Sequence, residues 1–330
     1  MADLYLWRFP KPLLKPNLNG RSYMKQVIVI AGPTASGKTG LSVEVAKQLN
    51  TEIVSADSMQ IYRDMNVGTA KVTQEEMQGI VHHMIDIVSP FENYNVSQYV
   101  EDAKTCVESI IAKGKIPVIA GGTGLYINSL VYGYDLAPIP SDDAVRAELT
   151  AMYEEKGGEY LLAELQKIDP KTAQRLHPNN GRRLIRALEV YRISGTTISQ
   201  QEERTKNAPK PYDVKFFVLD TARDLLYNRI NERVDKMLEN GLIEEVKELL
   251  RQGVPKTNTA MQAIGYKEMV EYLDGYLTLE EAVDKIKQES RRYAKRQLTW
   301  FRRNEGAYWL EATLPKEELS ETVINYVKKG

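Results

Sequence analysis

Gly32-Pro33-Thr34-Ala35-Ser36-Gly37-Lys38-Thr39 spaces two glycines, a lysine and a threonine as G-x-x-x-x-G-K-T, a pattern suited to gripping a di- or triphosphate. The glycines let successive backbone N–H groups curl around phosphate oxygens, Lys38 adds a point charge, and the Thr39 hydroxyl can hold a magnesium ion. The helix expected next aims its positive end at the same place. Val27-Ile28-Val29-Ile30-Ala31 reads as a buried strand leading into the loop, and Leu41, Val45 and Leu49, four apart, read as the helix leaving it. The alternative, a glycine turn with no ligand, fits that context poorly.

A second chemical candidate is Asp57, in Asp57-Ser58-Met59-Gln60, directly after the apolar stretch Glu52-Ile53-Val54-Ser55-Ala56. A third is Thr123, in Gly121-Gly122-Thr123-Gly124, after Ile116-Pro117-Val118-Ile119-Ala120. If both stretches are strands of a doubly wound sheet, their tips and the phosphate loop share one crevice beyond the carboxyl ends. Asp57 is then placed for acid–base work, with a buried cap or a magnesium-water ligand as the alternatives. A carboxylate beside phosphate needs a metal, an arginine or a substrate amine to offset repulsion. An ATPase usually has an apolar strand ending in Asp, whereas the stretch 116–120 ends in Gly-Gly-Thr. Phe216-Phe217-Val218-Leu219-Asp220 resembles such a strand, but Thr221 to Asp224 then opens a helix, so Asp220 reads as a cap.

Two segments suit a polyanion larger than a nucleotide. Between Lys285 and Arg303 lie eight cations, Lys285, Lys287, Arg291, Arg292, Lys295, Arg296, Arg302 and Arg303, against the single acid Glu289, with Tyr293, Trp300 and Phe301 interleaved. In Arg182-Arg183-Leu184-Ile185-Arg186, Arg182 and Arg186 share a helix face, while Leu184, Leu188 and Tyr191 form a core stripe. The competing reading for both is an ordinary solvated face.

These groups must be held by an alternation of strand and helix. Val96 to Lys113 reads as a helix, Val214 to Leu219 as a strand and Leu225 to Leu238 as an amphipathic helix, which gives a doubly wound α/β fold. Residues 1–26, with Pro10, Pro12 and Pro16, read as an extension outside the core. The phosphate-loop core occupies 27–140, a helical insertion 141–204, and 205–330 returns to the core and adds the basic helical region. With 42% hydrophobic and 27% charged residues and a net charge of −1, the 330-residue chain suits a soluble enzyme and excludes a uniformly basic nucleic-acid binder. The single Cys106 excludes an internal disulfide or a cysteine-rich zinc site and fits a reducing cytoplasm. His82, His83 and His177 read as structural or surface residues. No apolar run reaches membrane-span length.

Taken in order, the phosphate loop, Asp57-Ser58-Met59-Gln60, Gly121-Gly122-Thr123-Gly124-Leu125-Tyr126, Arg183-Leu184-Ile185-Arg186-Ala187-Leu188-Glu189 and Gln262-Ala263-Ile264-Gly265-Tyr266-Lys267-Glu268 resemble the tRNA dimethylallyltransferases, over Val27 to about Arg303. The resemblance implies a P-loop NTPase-like core whose inserted helical domain closes on the anticodon stem-loop. It implies transfer of a dimethylallyl group from dimethylallyl diphosphate to N6 of adenosine 37 in tRNAs reading codons that begin with U. Lys38, Asp57 and Thr123 then form the catalytic set, residues 32–39 bind the diphosphate or a nucleotide such as ATP, and Thr39 carries Mg2+. Contacts to tRNA are implied at Asp57, Ser58, Met59, Gln60, Thr123, Arg146, Arg182, Arg183, Leu184, Ile185, Arg186, Gln262, Lys267 and Arg296. Arg182 stands where bacterial relatives often carry Gln, and Gln262 where some carry Arg. The zinc finger of eukaryotic relatives is absent, and neither a membrane nor an obligate protein partner is implied. Two other classes share some of these features, a nucleotide kinase with ATP in the loop and a non-catalytic nucleotide-gated RNA-binding protein.

Overall fold

The computed structural model describes residues 25–133 and 142–329. The expected extension therefore lies outside the described residues except for Lys25 and Gln26, and Gln26 already belongs to the first strand. The expected boundary at 140/141 also lies outside them.

In chain order the elements begin β1 (Gln26–Ala31), α1 (Lys38–Gln48), β2 (Ile53–Ser55), α2 (Gln74–Met77), β3 (His82–His83), α3 (Val96–Ala112), β4 (Val118–Gly121) and α4 (Gly124–Tyr132). Next come α5 (Asp143–Ile168), broken at Gly157, α6 (Pro170–Ala173), α7 (Gly181–Ser194) and α8 (Ile198–Asn207). The chain then forms β5 (Asp213–Asp220), α9 (Arg223–Glu239), α10 (Leu242–Arg251), α11 (Tyr266–Leu273), α12 (Leu279–Phe301), β6 (Tyr308–Glu311) and α13 (Lys316–Lys329). All six strands are parallel, in the order β3-β2-β4-β1-β5-β6.

A parallel sheet covered on both faces requires strands that are apolar throughout, and β1 meets this by alternation within an apolar run. Val27, Val29 and Ala31 face a cluster built on α3 and α4, while Ile28 and Ile30 face one built on α1 and α13. The expected strand at 116–120 begins in fact at Val118, because Pro117 has no N–H for the ladder. Its carbonyl instead accepts from Ile28 N at 3.0 Å. The sheet edges β3 and β6, two and four residues long, carry too little periodicity to be read from sequence.

Two further clusters lie off the sheet. Ile61, Tyr62 and Met65 pack with α10, α11 and the first half of α12. Leu149, Leu161, Leu165, Ala173, Leu184, Ala187 and Leu188 form a separate core for α5 to α8. Tyr191 does not complete that stripe: it is 37% exposed, and Val190 takes the buried position in that turn.

Candidate active site

The phosphate loop runs from the carboxyl end of β1 to the first turn of α1. Gly37 precedes α1 with φ 89, a left-handed conformation with open space around it, so backbone conformation and not crowding calls for glycine there. It has no side chain to cap α1, which leaves the helix N–H groups for a ligand. Lys38 Nζ donates to Pro33 O at 2.6 Å. Burial, and secondly the Arg233 guanidinium, lower the Lys38 ammonium to about 7, with Asp57 opposing. The Ser36 hydroxyl is buried with no partner among the described residues, as expected of a loop built around an anion.

Asp57 stands just beyond β2, and its Oδ1 accepts from Met59 N at 2.9 Å and Gln60 N at 3.3 Å. Those bonds fix the carboxylate at the head of a turn. They also show that one oxygen serves the cap reading while the other makes no hydrogen bond among the described residues. Since β4 lies between β1 and β2, its terminal turn occupies the centre of the crevice. Ser58 N donates to Thr123 Oγ1 at 3.0 Å, which ties that turn to the Asp57 turn.

Helix α12 closes the crevice from above. Gln297 Nε2 donates to Gly122 O at 2.9 Å, and its Oε1 accepts from Thr34 N at 2.9 Å. A Cβ on Gly122 would lie 2.2 Å from Gln297 Nε2, and one on Gly124 would lie 2.2 Å from the Trp300 ring. The glycines after β4 therefore serve close approach of α12. One turn earlier, the Tyr293 hydroxyl faces Thr123, Gln297 and Asp57. Burial, and secondly Asp57, push it up to about 12.

Arg233, on α9, donates to Thr69 O and Ala70 O, each at 3.4 Å. Burial holds its guanidinium below the ordinary value, against the attraction of Asp57. Gln60 Nε2 reaches the same two carbonyls at 3.3 and 3.2 Å. The loop carrying them is gripped by Glu245, which accepts from Asn66 N, Val67 N and Gly68 N at 2.7, 2.8 and 3.0 Å and from the Tyr266 hydroxyl at 2.5 Å. The Gly265-Tyr266 motif thus acts on the crevice from a distance.

The expected RNA contacts fall into two sets. Asp57, Ser58, Met59, Gln60 and Thr123 line the crevice. Arg146, Arg182, Arg183 and Arg186 are exposed on the helical unit, where the fully buried Glu189 carboxylate lies 2.9 Å from Arg146 and 2.8 Å from Arg186. Leu184 has no surface and is a core residue, with Ile185 packed against the same cluster. Helical geometry turns both away from the arginine face. Gln262 and Lys267 are exposed, with Gln262 Nε2 bonded to Lys256 O at 2.8 Å.

The basic run is only partly available. Lys285 pairs with Glu271, Lys287 with Asp235, Arg292 with Glu289, and Arg291 bonds Asn231. Lys295, Arg296, Arg302 and Arg303 are exposed and have no ion pair among the described residues. Asp220 Oδ1 accepts from Thr221 N at 3.0 Å and lines a separate cavity beyond β5 and β6 with Arg223, Tyr227, Lys295 and Arg302. His83 bonds Glu52 at 2.8 Å, and no group of three or more His, Cys, Asp or Glu side chains could hold a metal ion among the described residues. Sequence reading gives no role to Gln297, Tyr293, Arg233, Glu245 or Glu189. Tyr293 stands there only as part of a basic, aromatic run and Glu189 only as the end of a family motif, and nothing local marks the others.

Comparison with known proteins gives a consistent set. The family model for IPP transferase matches residues 60–304. A tRNA dimethylallyltransferase of Carboxydothermus hydrogenoformans is 50% identical over 91% of this chain and 96% of its own length. The crystal structure of the full-length tRNA isopentenylpyrophosphate transferase from Bacillus halodurans superposes with a TM-score of 0.70 at 44% identity, covering 92% of this chain and 96% of that one. A eukaryotic dimethylallyltransferase whose crystallographic snapshots show it acting on tRNA aligns with a TM-score of 0.74 at 32% identity, over 87% of this chain and 74% of that one.

Proposed function

The chain belongs to the IPP transferase family, that of the tRNA dimethylallyltransferases, and from that premise we propose that its crevice transfers the dimethylallyl group of dimethylallyl diphosphate to N6 of adenosine 37 in tRNA. The tRNAs are those reading codons that begin with U, and the product is N6-(dimethylallyl)adenosine. One observation carries the assignment of roles: Lys38 and Arg233 each interact electrostatically with Asp57, and Asp57 stands beyond β2, separated from β1 only by β4, so two basic groups and one carboxylate share a crevice.

In this reading the cations and the loop amides hold the diphosphate and offset the charge that develops as it departs. The adenine amine is a poor nucleophile because its lone pair is delocalised into the ring. Asp57 accepts a hydrogen bond from it and takes its proton. The N6–C1 bond forms, the C1–O bond breaks, and diphosphate leaves with the electron pair. Thr123, held through Ser58, contacts the target nucleotide, which must be extruded from the stacked loop to reach the crevice.

Magnesium fits at Thr39, which is exposed at the start of α1. Mg2+ keeps most of its waters and needs only one or two protein oxygens beside substrate phosphates, and the Thr39 hydroxyl would supply one. When bound it supplies further neutralisation of the leaving diphosphate.

Residues 142–204 are proposed as the unit that meets the anticodon stem, through the arginines around Glu189. Action in the cytoplasm, where Cys106 stays reduced, completes the proposal; no described helix is long and apolar enough to cross a membrane. The test is to incubate the protein with unmodified tRNA and dimethylallyl diphosphate, and separately with ATP and nucleosides, and to weigh the digested nucleosides. A dimethylallyl mass on adenosine is expected, and a phosphoryl mass on a nucleoside would sink the reading.

A further inference from the structure

The phosphate loop and the turn after β4 belong to different βα units, and both are seated against one side chain of a third element. Gln297 lies on α12, is 6% exposed, and uses each half of its carboxamide once: Oε1 on Thr34 N and Nε2 on Gly122 O, both at 2.9 Å. The Thr34 amide is engaged by Gln297 Oε1 and so is not free for a phosphate oxygen. A side chain that takes an amide out of the phosphate-binding set has another use for it.

We propose that Gln297 is a positioning residue of the transfer reaction, bolting the phosphate loop to the Gly121–Gly124 turn so that the gap between donor and acceptor is fixed. This rests on the proposed prenyl transfer. The leaving diphosphate is held on the β1 side and the amine on the β4 and β2 side, where Thr123 is joined to Ser58 at 3.0 Å. The separation of reacting N6 and C1 atoms therefore follows the separation of the two turns. Displacement needs these atoms about 3–3.5 Å apart, and a misplacement of about 1 Å costs about 10²-fold. The geometry of the bolt is tight: a Cβ on Gly122 would lie 2.2 Å from Nε2, so the turn and α12 are shaped around this contact. Gln297 touches neither reacting atom, and its effect passes through Thr34 and Gly122.

Gln297→Ala is expected to lower the single-turnover transfer rate about 10- to 100-fold, with the tRNA dissociation constant unchanged and the donor KM moved only a few-fold. Gln297→Glu supplies a readout that packing alone would not move. Its carboxylate still accepts from Thr34 N but repels Gly122 O, whereas its protonated form can donate to that carbonyl. The ratio of its rate to wild type should therefore rise as pH falls. The other groups facing this point are Lys38, Asp57, Arg233 and Tyr293; all three proteins have them, and the Gln297→Ala profile shows their contribution without the added carboxylate. A wild-type rate in Gln297→Ala, or a ratio flat with pH in Gln297→Glu, overturns the proposal, and the second variant decides if the first does not fold. Failure of the wild-type protein to prenylate tRNA would instead overturn the reading of function beneath it.

Discussion

Lys38 is where pH should act on donor binding. In the free protein, burial brings its ammonium to about 7, so at pH 8 it is largely neutral. A bound diphosphate favours the cation and raises that value, so binding must take up a proton between the two values, and affinity must fall as pH rises above about 7. Titration of diphosphate in buffers of different ionisation enthalpy should show close to one proton taken up per site at pH 8, and Lys38→Met should remove it. Uptake unchanged in that variant would place the titrating group elsewhere. Asp57 makes a separate prediction. Asp57→Asn keeps the bonds to Met59 N and Gln60 N but cannot take a proton, so transfer should fall by about 10²–10⁴ while tRNA affinity holds. Quench-flow rates beside filter binding would check this.

Helix α12 works through two faces. Tyr293, Gln297 and Trp300, at helical spacing, meet the turn after β4, while Lys295, Arg296 and Arg302 point to solvent. An RNA held on the second face would be in contact with the helix that positions the first. Replacing Lys295, Arg296 and Arg302 together by Gln should weaken tRNA binding and flatten its salt dependence by roughly one log–log unit for each phosphate that is no longer neutralised. Diphosphate affinity should stay as it was, and an unchanged slope would make this face a solvated surface. Arg291 and Arg292, engaged with Asn231 and Glu289, are left out of that set for this reason. The loop from Asn66 to Ala70 depends on a similar long reach. Glu245→Ala leaves three backbone N–H groups without their acceptor, a loss of about 1–3 kcal/mol in urea unfolding. It should also weaken donor binding, because Arg233 is anchored on Thr69 O and Ala70 O.

At the scale of the molecule, α5 to α8 carry their own core, separate from the two clusters that sandwich the sheet. A unit with its own core can open independently of the fold that holds the chemistry. Leu184, fully buried in that core, tests this. Leu184→Ala should cost about 2–5 kcal/mol, and the loss should appear as faster amide exchange in α5 and α7 with β1, β4 and β5 unchanged. Equal acceleration in the sheet would mean that the whole chain unfolds as one unit.

The amino-acid sequence was sufficient for the phosphate loop, the apolar strands around it, and the tips at Asp57 and Thr123. Each of these is a local pattern: glycines at fixed offsets, a β-branched run, a polar residue at a strand end. It also marked α12 as basic and aromatic. What no local pattern carries is adjacency between distant segments. That β4 lies between β1 and β2 follows from the sheet order, and this alone brings Thr123 between the phosphate loop and Asp57. Arg233 near Lys38, Glu245 under the Asn66 loop, and Glu189 against Arg146 each join segments that lie far apart along the chain. The case is clearest at Gln297, one unremarkable amide in a charged helix, whose position against Thr34 and Gly122 comes only from packing α12 on glycines that leave room for it.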